Sequence, residues 1–565
     1  MLSTISPGTY WRTIRYLRGR QILGRLWRLI PHAMTSTHPP LPLRPSRGQF
    51  GDFIRRPGPI RRKHCFRFLN RPCSVIKAAD WNNHEQSKLW LYQLHYFEWL
   101  RETAAPERVA EDTAWLDRWI ADNPVGSGVA WDPYPISLRI VNWIIWFLTS
   151  GQGTRHHFDS LAMQARHLAR SIEYHLCGNH LLANAMALVF AGTFFEGEEA
   201  DNWRGHGLEL LGDELNEQIL ADGGHFELSP MYHSLILEGL LDLLGLRCAY
   251  PDVLAEPIAA IGLAEIASRM AQWLADIRHP DGEIPYFNDA AIGIAPPPGD
   301  LLSYAAQREI VAQRSDRRLI ALKPSGFAIL SHPPFQIIFD CGRIGPDYLP
   351  GHAHADTLSF ELSVGRDRLI SNSGTSTYER GRERDWERST SAHATVEIDG
   401  VSSAETWASF RVGRRPKVVP MEFGTDRSHD WVEASHDGFR HLPGRPIHRR
   451  RVTVTAQRIC IYDRIEGSGV HDARGFLPIH PGVAVDRLAE NTFQLTLPSN
   501  HTVEVAIKGP VETTTQTGRI AVAFGATVPR PSIEWRWHGT LPLSVEMRFA
   551  TEARLVAGGA HAPRD

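Results

Sequence analysis

Between about Asp80 and Leu301 apolar residues recur at steps of three and four, whereas further on they alternate singly with polar ones. The first spacing covers one face of an α-helix; the second puts every other side chain on one face of a strand. Helices are expected over Lys88–Arg101, Ile136–Leu148, Phe158–Tyr174, Leu181–Phe194, Leu208–Leu220, Tyr232–Leu246 and Ile258–Ile277, divided by Gly-, Pro- and Asp-containing turns. Paired antiparallel helices at this interval suggest an (α/α) toroid of hairpins, although no literal repeat is present. Short runs rich in Val, Ile and Thr follow, among them Phe335–Cys341, Thr357–Val364, Arg451–Asp463, Thr502–Ile507 and Ser544–Phe549. Gly, Pro and Asp turns bound them, which points to an antiparallel β-sandwich. The fold class is therefore α+β and multidomain. Residues 1–79 form a basic segment and connector, 80–310 the toroid and 311–565 the sandwich, with a frayed tail from Gly558.

Ahead of the toroid, T-Y-W-R-T-I-R-Y-L-R-G-R-Q-I-L-G-R-L-W-R-L-I is a basic amphipathic stretch. It reads as helix packed on its own domain, with a membrane-surface anchor as the alternative. It lacks the apolar core and small-residue cleavage site of a secretory signal. Pro39 to Arg62, rich in Pro, Arg and Gly, reads as an extended connector. No apolar run is long enough to span a bilayer. The 565 residues carry a formal net charge of −2, which gives no sign of a nucleic-acid partner. Six cysteines without a CxxC pair exclude a zinc ribbon or a dense disulfide framework.

Three loops in the helical half hold polar residues that a core does not require. C-G-N-H-L-L-A-N places Asn179 and His180 at the start of an apolar helix. D-G-G-H-F-E-L-S-P-M-Y-H places Tyr232 in the first turn after a Ser229 cap and Pro230. H-P-D-G-E-I-P-Y-F-N-D ends on Asn288 and Asp289. The positive end of a helix would favour a phenolate at Tyr232 and attract a carboxylate. Each residue also has a plainer reading: a cap, a satisfied buried histidine, a core aromatic. In the strand half, Tyr348–Gly400 gathers His352, His354, His393 and a polar turn at Asn372. Such histidines suit a metal site, a proton-transfer site or ordinary hydrogen bonding.

The chain resembles the heparinase II/III-like polysaccharide lyases. The resemblance rests on Y-W-R-T-I-R-Y-L-R-G-R-Q-I-L-G-R-L-W-R, L-H-Y-F-E-W-L, W-D-P-Y-P-I-S-L-R-I-V-N-W, G-N-H-L, D-G-G-H-F-E-L-S-P-M-Y-H, G-H-A-H-A-D and S-A-H-A-T-V-E-I-D-G, in that order. It implies a helical toroid followed by a β-sandwich, and β-elimination on an acidic, uronate-containing polysaccharide. It also implies Asn179, His180, Tyr232 and His352 as catalytic residues. Tyr92, His95, Tyr96, Trp131, Tyr134, Arg139, Asn288 and Asp289 become candidates for binding sugar. A structural zinc is implied at His354, Asn372 and His393, weakened because Asn372 stands where an aspartate is the better ligand. The implied setting is the periplasm or cell envelope, with the cytoplasm as the alternative because no signal peptide is recognisable. Two other functions remain open: a non-catalytic polysaccharide-binding protein in polymer synthesis or export, and a glycoside hydrolase using a pair such as Glu227 and Asp289.

Overall fold

A computed structural model describes residues 6–28, 39–58, 60–62, 64–102 and 108–551. The tail expected to fray from Gly558 lies outside them. Two short helices, α1 (Pro7–Ile14) and α2 (Gly19–Trp27), come first. A three-stranded sheet follows, β1 (Ile60–Arg62), β2 (Cys65–Phe68) and β3 (Arg71–Ser74), in a region read from sequence as connector and basic segment. The strands are too short to leave a readable alternation.

The helical half runs α3 (Lys88–Tyr96), α4 (Val109–Asp122), α5 (Pro133–Ser150), α6 (Arg155–Arg170) and α7 (Gly178–Phe194). It continues through α8 (Glu198–Gln218), α9 (Pro230–Ala249), α10 (Pro251–Ile261), α11 (Leu263–Ile277) and α12 (Pro298–Gln307). These helices form the toroid. Every residue of α7 except His180 is buried, because neighbouring helices cover it on all sides. Gly207 lets α8 approach closely: a Cβ there would lie 2.8 Å from the Val189 nitrogen. No helix among the described residues is long and apolar enough to cross a membrane.

The strand half opens with a five-stranded antiparallel sheet, β4 (Leu319–Leu322), β5 (Phe327–His332), β6 (Phe335–Asp340), β7 (Phe360–Val364) and β8 (Asp367–Ile370). A bridge from Ile370 to Ile479 joins this sheet to a four-stranded one that includes β9 (Val396–Ile398). An eight-stranded antiparallel sheet forms the opposite layer, and Phe360 meets its Phe549 edge-on at 6.3 Å. The other face of the five-stranded sheet packs on the toroid: Phe327, Ile329 and Ile338 join Trp273, Ile277 and Phe287.

That double burial corrects one reading of the pattern. Thr357, Ser359, Glu361 and Ser363 alternate with apolar residues, the pattern of a half-buried strand, yet Glu361 and Ser363 are completely buried. The two ring nitrogens of His279 bond their side chains, each at 2.8 Å. The polar face is directed into the domain interface.

The N-terminal helices bridge the two domains. Arg20 pairs with Glu214 and Glu217 on α8, while Thr9 and Arg12 bond Glu405 of the sandwich. Tyr10 meets Trp407 edge-on at 5.1 Å, and the Trp407 indole donates to Thr13.

Candidate active site

The interface between toroid and sandwich encloses a cavity of about 890 Å³, and Asn179, His180, Tyr232 and His352 all line it. Backbone geometry aims each of them. Cys177 and Gly178 both have positive φ, which turns the chain sharply into α7 and presents His180 at the mouth. A Cβ at Gly178 would lie 2.3 Å from Leu349 and 2.8 Å from the Glu227 carboxylate, so only glycine fits without displacement. Leu228, also left-handed, reverses the chain between Glu227 and the start of α9. Ser229 caps that helix, accepting from the Tyr232 amide at 3.3 Å with Pro230 in the first turn. Such left-handed non-glycine residues are costly and collect at functional sites.

Tyr232 and His352 are the centre of this geometry. Their rings stack with centroids 3.8 Å apart, and the Tyr232 hydroxyl lies 3.1 Å from that of Tyr378. His352 Nδ1 is 2.9 Å from Asp289 Oδ2, and its Nε2 is 3.6 Å from Glu227. Asp289 is clamped by both guanidinium ends of Arg384, itself wholly buried. Burial alone would raise the Asp289 pKa, but Arg384, His352 and His354 hold it well below the usual carboxylate range. Glu227 shows the opposite balance: burial outweighs His352 and raises it. Burial, with Tyr378 next to it, raises the Tyr232 phenol well above its ordinary value. The helix terminus therefore does not produce a resting phenolate. On the toroid side the His180 ring lies 4.3 Å from that of Tyr134, and its Nδ1 is 3.2 Å from Glu173.

Two family profiles account for both halves of this arrangement. Heparinase II/III N-terminus matches residues 63–295, and Heparinase II/III-like, C-terminal, matches residues 314–553. The chain belongs to the heparinase II/III-like family. Heparin-sulfate lyase of Bacteroides stercoris is 25% identical over 376 residues, 56% of this chain and 54% of that protein. FtsZ-localized protein C of Caulobacter vibrioides is 25% identical over 402 residues, 67% of this chain and 65% of that protein. The chain spans about half the length of the lyases it matches first in sequence. In structure, Heparinase III aligns with a TM-score of 0.72 at 19% identity, over 96% of this chain and 92% of its own. This likeness is one of fold.

Within the heparinase II/III-like framework the sugar-binding candidates divide. Tyr92, Tyr96 and Tyr134 line the cavity. His95, Trp131, Arg139, Asn288 and Asp289 do not. His95 is fully buried: it accepts from the Trp119 indole at Nδ1, so its Nε2 donates to the Trp81 carbonyl. Arg139, also fully buried, holds Gln164 and the carbonyls of His95 and Ala130. The Trp131 indole donates to Asn123 inside the toroid core. Asn288, left-handed at φ 55°, joins Leu228, Asp356 and His354. Asp289 acts from behind His352. Its commitment to Arg384 also removes it from a hydrolytic pair with Glu227.

The implied zinc requires three donors converging on one point. His354 Nδ1 and His393 Nε2 do face each other at 3.2 Å. The Asn372 side-chain oxygen, however, accepts from the Ala394 amide, and its buried NH₂ has no acceptor among the described residues. The carboxylate that touches His354 is Asp289, on the far ring nitrogen and neutralised by Arg384. Among the described residues no group of three His, Cys, Asp or Glu could hold a metal ion. This donor set does not fit zinc.

Tyr378 and Arg384 escaped the sequence reading. Tyr378 follows the S-N-S-G-T-S-T run directly, but nothing local shows that the loop folds back onto Tyr232. Arg384 sits in a charged run, R-G-R-E-R-D, whose composition suggests a solvated face.

Proposed function

We propose that this protein is a polysaccharide lyase that cleaves a uronate-containing polymer by β-elimination. The observation that carries the reading is the convergence of Asn179, His180, Tyr232 and His352, from both domains, on one cavity. The family and the 25% identity to heparin-sulfate lyases support the reaction class.

Position in the cavity assigns the roles, together with the protonated resting state of Tyr232. The uronate carboxylate is neutralised by the Asn179 side chain, while Glu227, whose pKa burial raises, accepts from the Asn179 backbone amide and helps position that residue. That neutralisation acidifies the C5 proton, which His180 removes. The C5–H electron pair becomes the C4=C5 double bond as the C4–O bond breaks. Tyr232, protonated at rest, delivers its proton to the departing oxygen. The His180 proton then restores the phenol through solvent, and no water is consumed. His352, stacked on Tyr232 and bonded to Asp289, fixes the orientation of the phenol.

The test is a panel of uronate polymers, heparan-like, alginate-like and bacterial exopolysaccharide, followed by ultraviolet absorbance of the unsaturated end. Absence of that chromophore with every polymer overturns the lyase reading. Binding without cleavage is the second reading, favoured by the similarity to FtsZ-localized protein C over two thirds of this chain.

A further inference from the structure

Three arginines from three separate segments line the mouth of the same cavity: Arg25 on α2, Arg380 after Tyr378, and Arg411. Arg411 lies in a two-stranded hairpin, β10 (Thr406–Trp407) and β11 (Arg411–Val412). Most charged groups at this interface are matched, as Arg12 is with Glu405, Arg20 with Glu214 and Glu217, and Arg415 with Asp347. These three differ. Among the described residues none of them forms a side-chain hydrogen bond or an ion pair. Partial burial first, and then the like charges of Arg25 and Arg380, lower the Arg411 pKa. Glu379 also faces the cavity, without pairing with any of the three.

Like charges gathered without a counter-ion are unfavourable, and a disordered surface side chain would rotate away. Here the backbone that carries Arg25 and Arg411 is held in place, while the Arg380 and Arg411 side chains stay exposed to an incoming anion. The contacts of Thr9 and Arg12 with Glu405, and of Thr13 with Trp407, pin α1 beside the β10–β11 hairpin, and α2 follows over the cavity. Guanidinium groups recognise carboxylates and sulfates through paired N–H donors.

We infer that Arg25, Arg380 and Arg411 form a second anion subsite at the cavity mouth, which binds a carboxylate or sulfate on a sugar neighbouring the one that is cleaved. This inference rests on the lyase reading for its substrate and deepens it. The substrate carries negative charge on more than one sugar along the chain, and the N-terminal helices are part of the binding site.

The test is calorimetric binding at low and high salt in a Tyr232→Phe background, where turnover is suppressed. The probes are an N-sulfated heparan hexasaccharide, a mannuronate hexasaccharide and its carboxyl-reduced neutral form. Arg25→Gln, Arg380→Gln and Arg411→Gln should each weaken the anionic probes about fivefold, and the triple variant should flatten their salt dependence. The control Arg440→Gln, in a separate basic patch, should change neither. Loss confined to the sulfated probe assigns the subsite to sulfate; loss with both assigns it to carboxylate. Equal affinity of the triple variant and the background protein for both anionic probes overturns the proposal, as does absence of binding to either by the background protein. If the unmodified chain yields no unsaturated product while the arginine dependence persists, the lyase reading falls and the subsite stands.

Discussion

The imidazole of His352 lies against the phenol ring of Tyr232 at 3.8 Å and 28°, and the two residues belong to different domains. Tyr232 starts a helix of the toroid, whereas His352 sits in a loop of the sandwich domain. The hydroxyl of Tyr378, also from the sandwich, completes the contact. The candidate site therefore exists only when both domains are docked.

Tyr232→Phe should lower turnover at least about 100-fold, the usual contribution of a positioned proton donor. The fold should survive, because among the described residues the phenol hydroxyl bonds only that of Tyr378. Initial rates by ultraviolet absorbance, with circular dichroism as the folding control, check this. Tyr378→Phe should cost less, since its hydroxyl acts through Tyr232.

Removing Arg384 should be far more damaging to stability. Arg384→Met leaves the Asp289 carboxylate buried without its clamp, a loss of about 3–5 kcal/mol for a broken buried pair. Denaturant unfolding measures it. Adding Asp289→Asn should recover part of the loss while activity stays low, because His352 loses its anchor.

His95 predicts a pH dependence of stability. Burial, aided by Arg139, lowers its pKa to about 3, against about 6.5 in an unfolded chain. Between those values the unfolded state binds the extra proton, so stability falls as pH drops from about 6.5 towards 3. The full effect is on the order of 5 kcal/mol. Melting temperatures across that window should decline steeply, and His95→Gln should flatten the slope even though it melts lower at neutral pH.

Asn372→Asp should create metal affinity. One carboxylate oxygen can still accept from the Ala394 amide, next in sequence to His393, while the other replaces an NH₂ that has no acceptor among the described residues and supplies the anionic donor that the His354–His393 pair lacks. Elemental analysis after dialysis against zinc should find near-stoichiometric metal in the variant and little in the parent chain. Equal zinc in both would sink this account of the cluster.

Much of the candidate site was legible because its signals are local. The Ser229–Pro230 cap, the turn before Asn179 and the loop carrying His352 can be read within a few residues, and all three segments line the cavity. Depth was not legible. His95 and Tyr96 are adjacent, yet Tyr96 lines the cavity while His95 is enclosed by Trp81 and Trp119. His352 and His354 grip opposite oxygens of one aspartate, but only His352 reaches the cavity.

The sequence by itself determined the division into a helical and a strand half, since period and capping depend on near neighbours along the chain. It also carried the family, through motifs spread over both halves. Only the tertiary structure decided which polar residues face the cavity and which are held inside. Those outcomes depend on partners far away in sequence, such as Arg384 for Asp289, 95 residues on, and His279 for Glu361, 82 residues apart. A buried polar group is set by what satisfies it, and distant partners meet it only once the domains have docked.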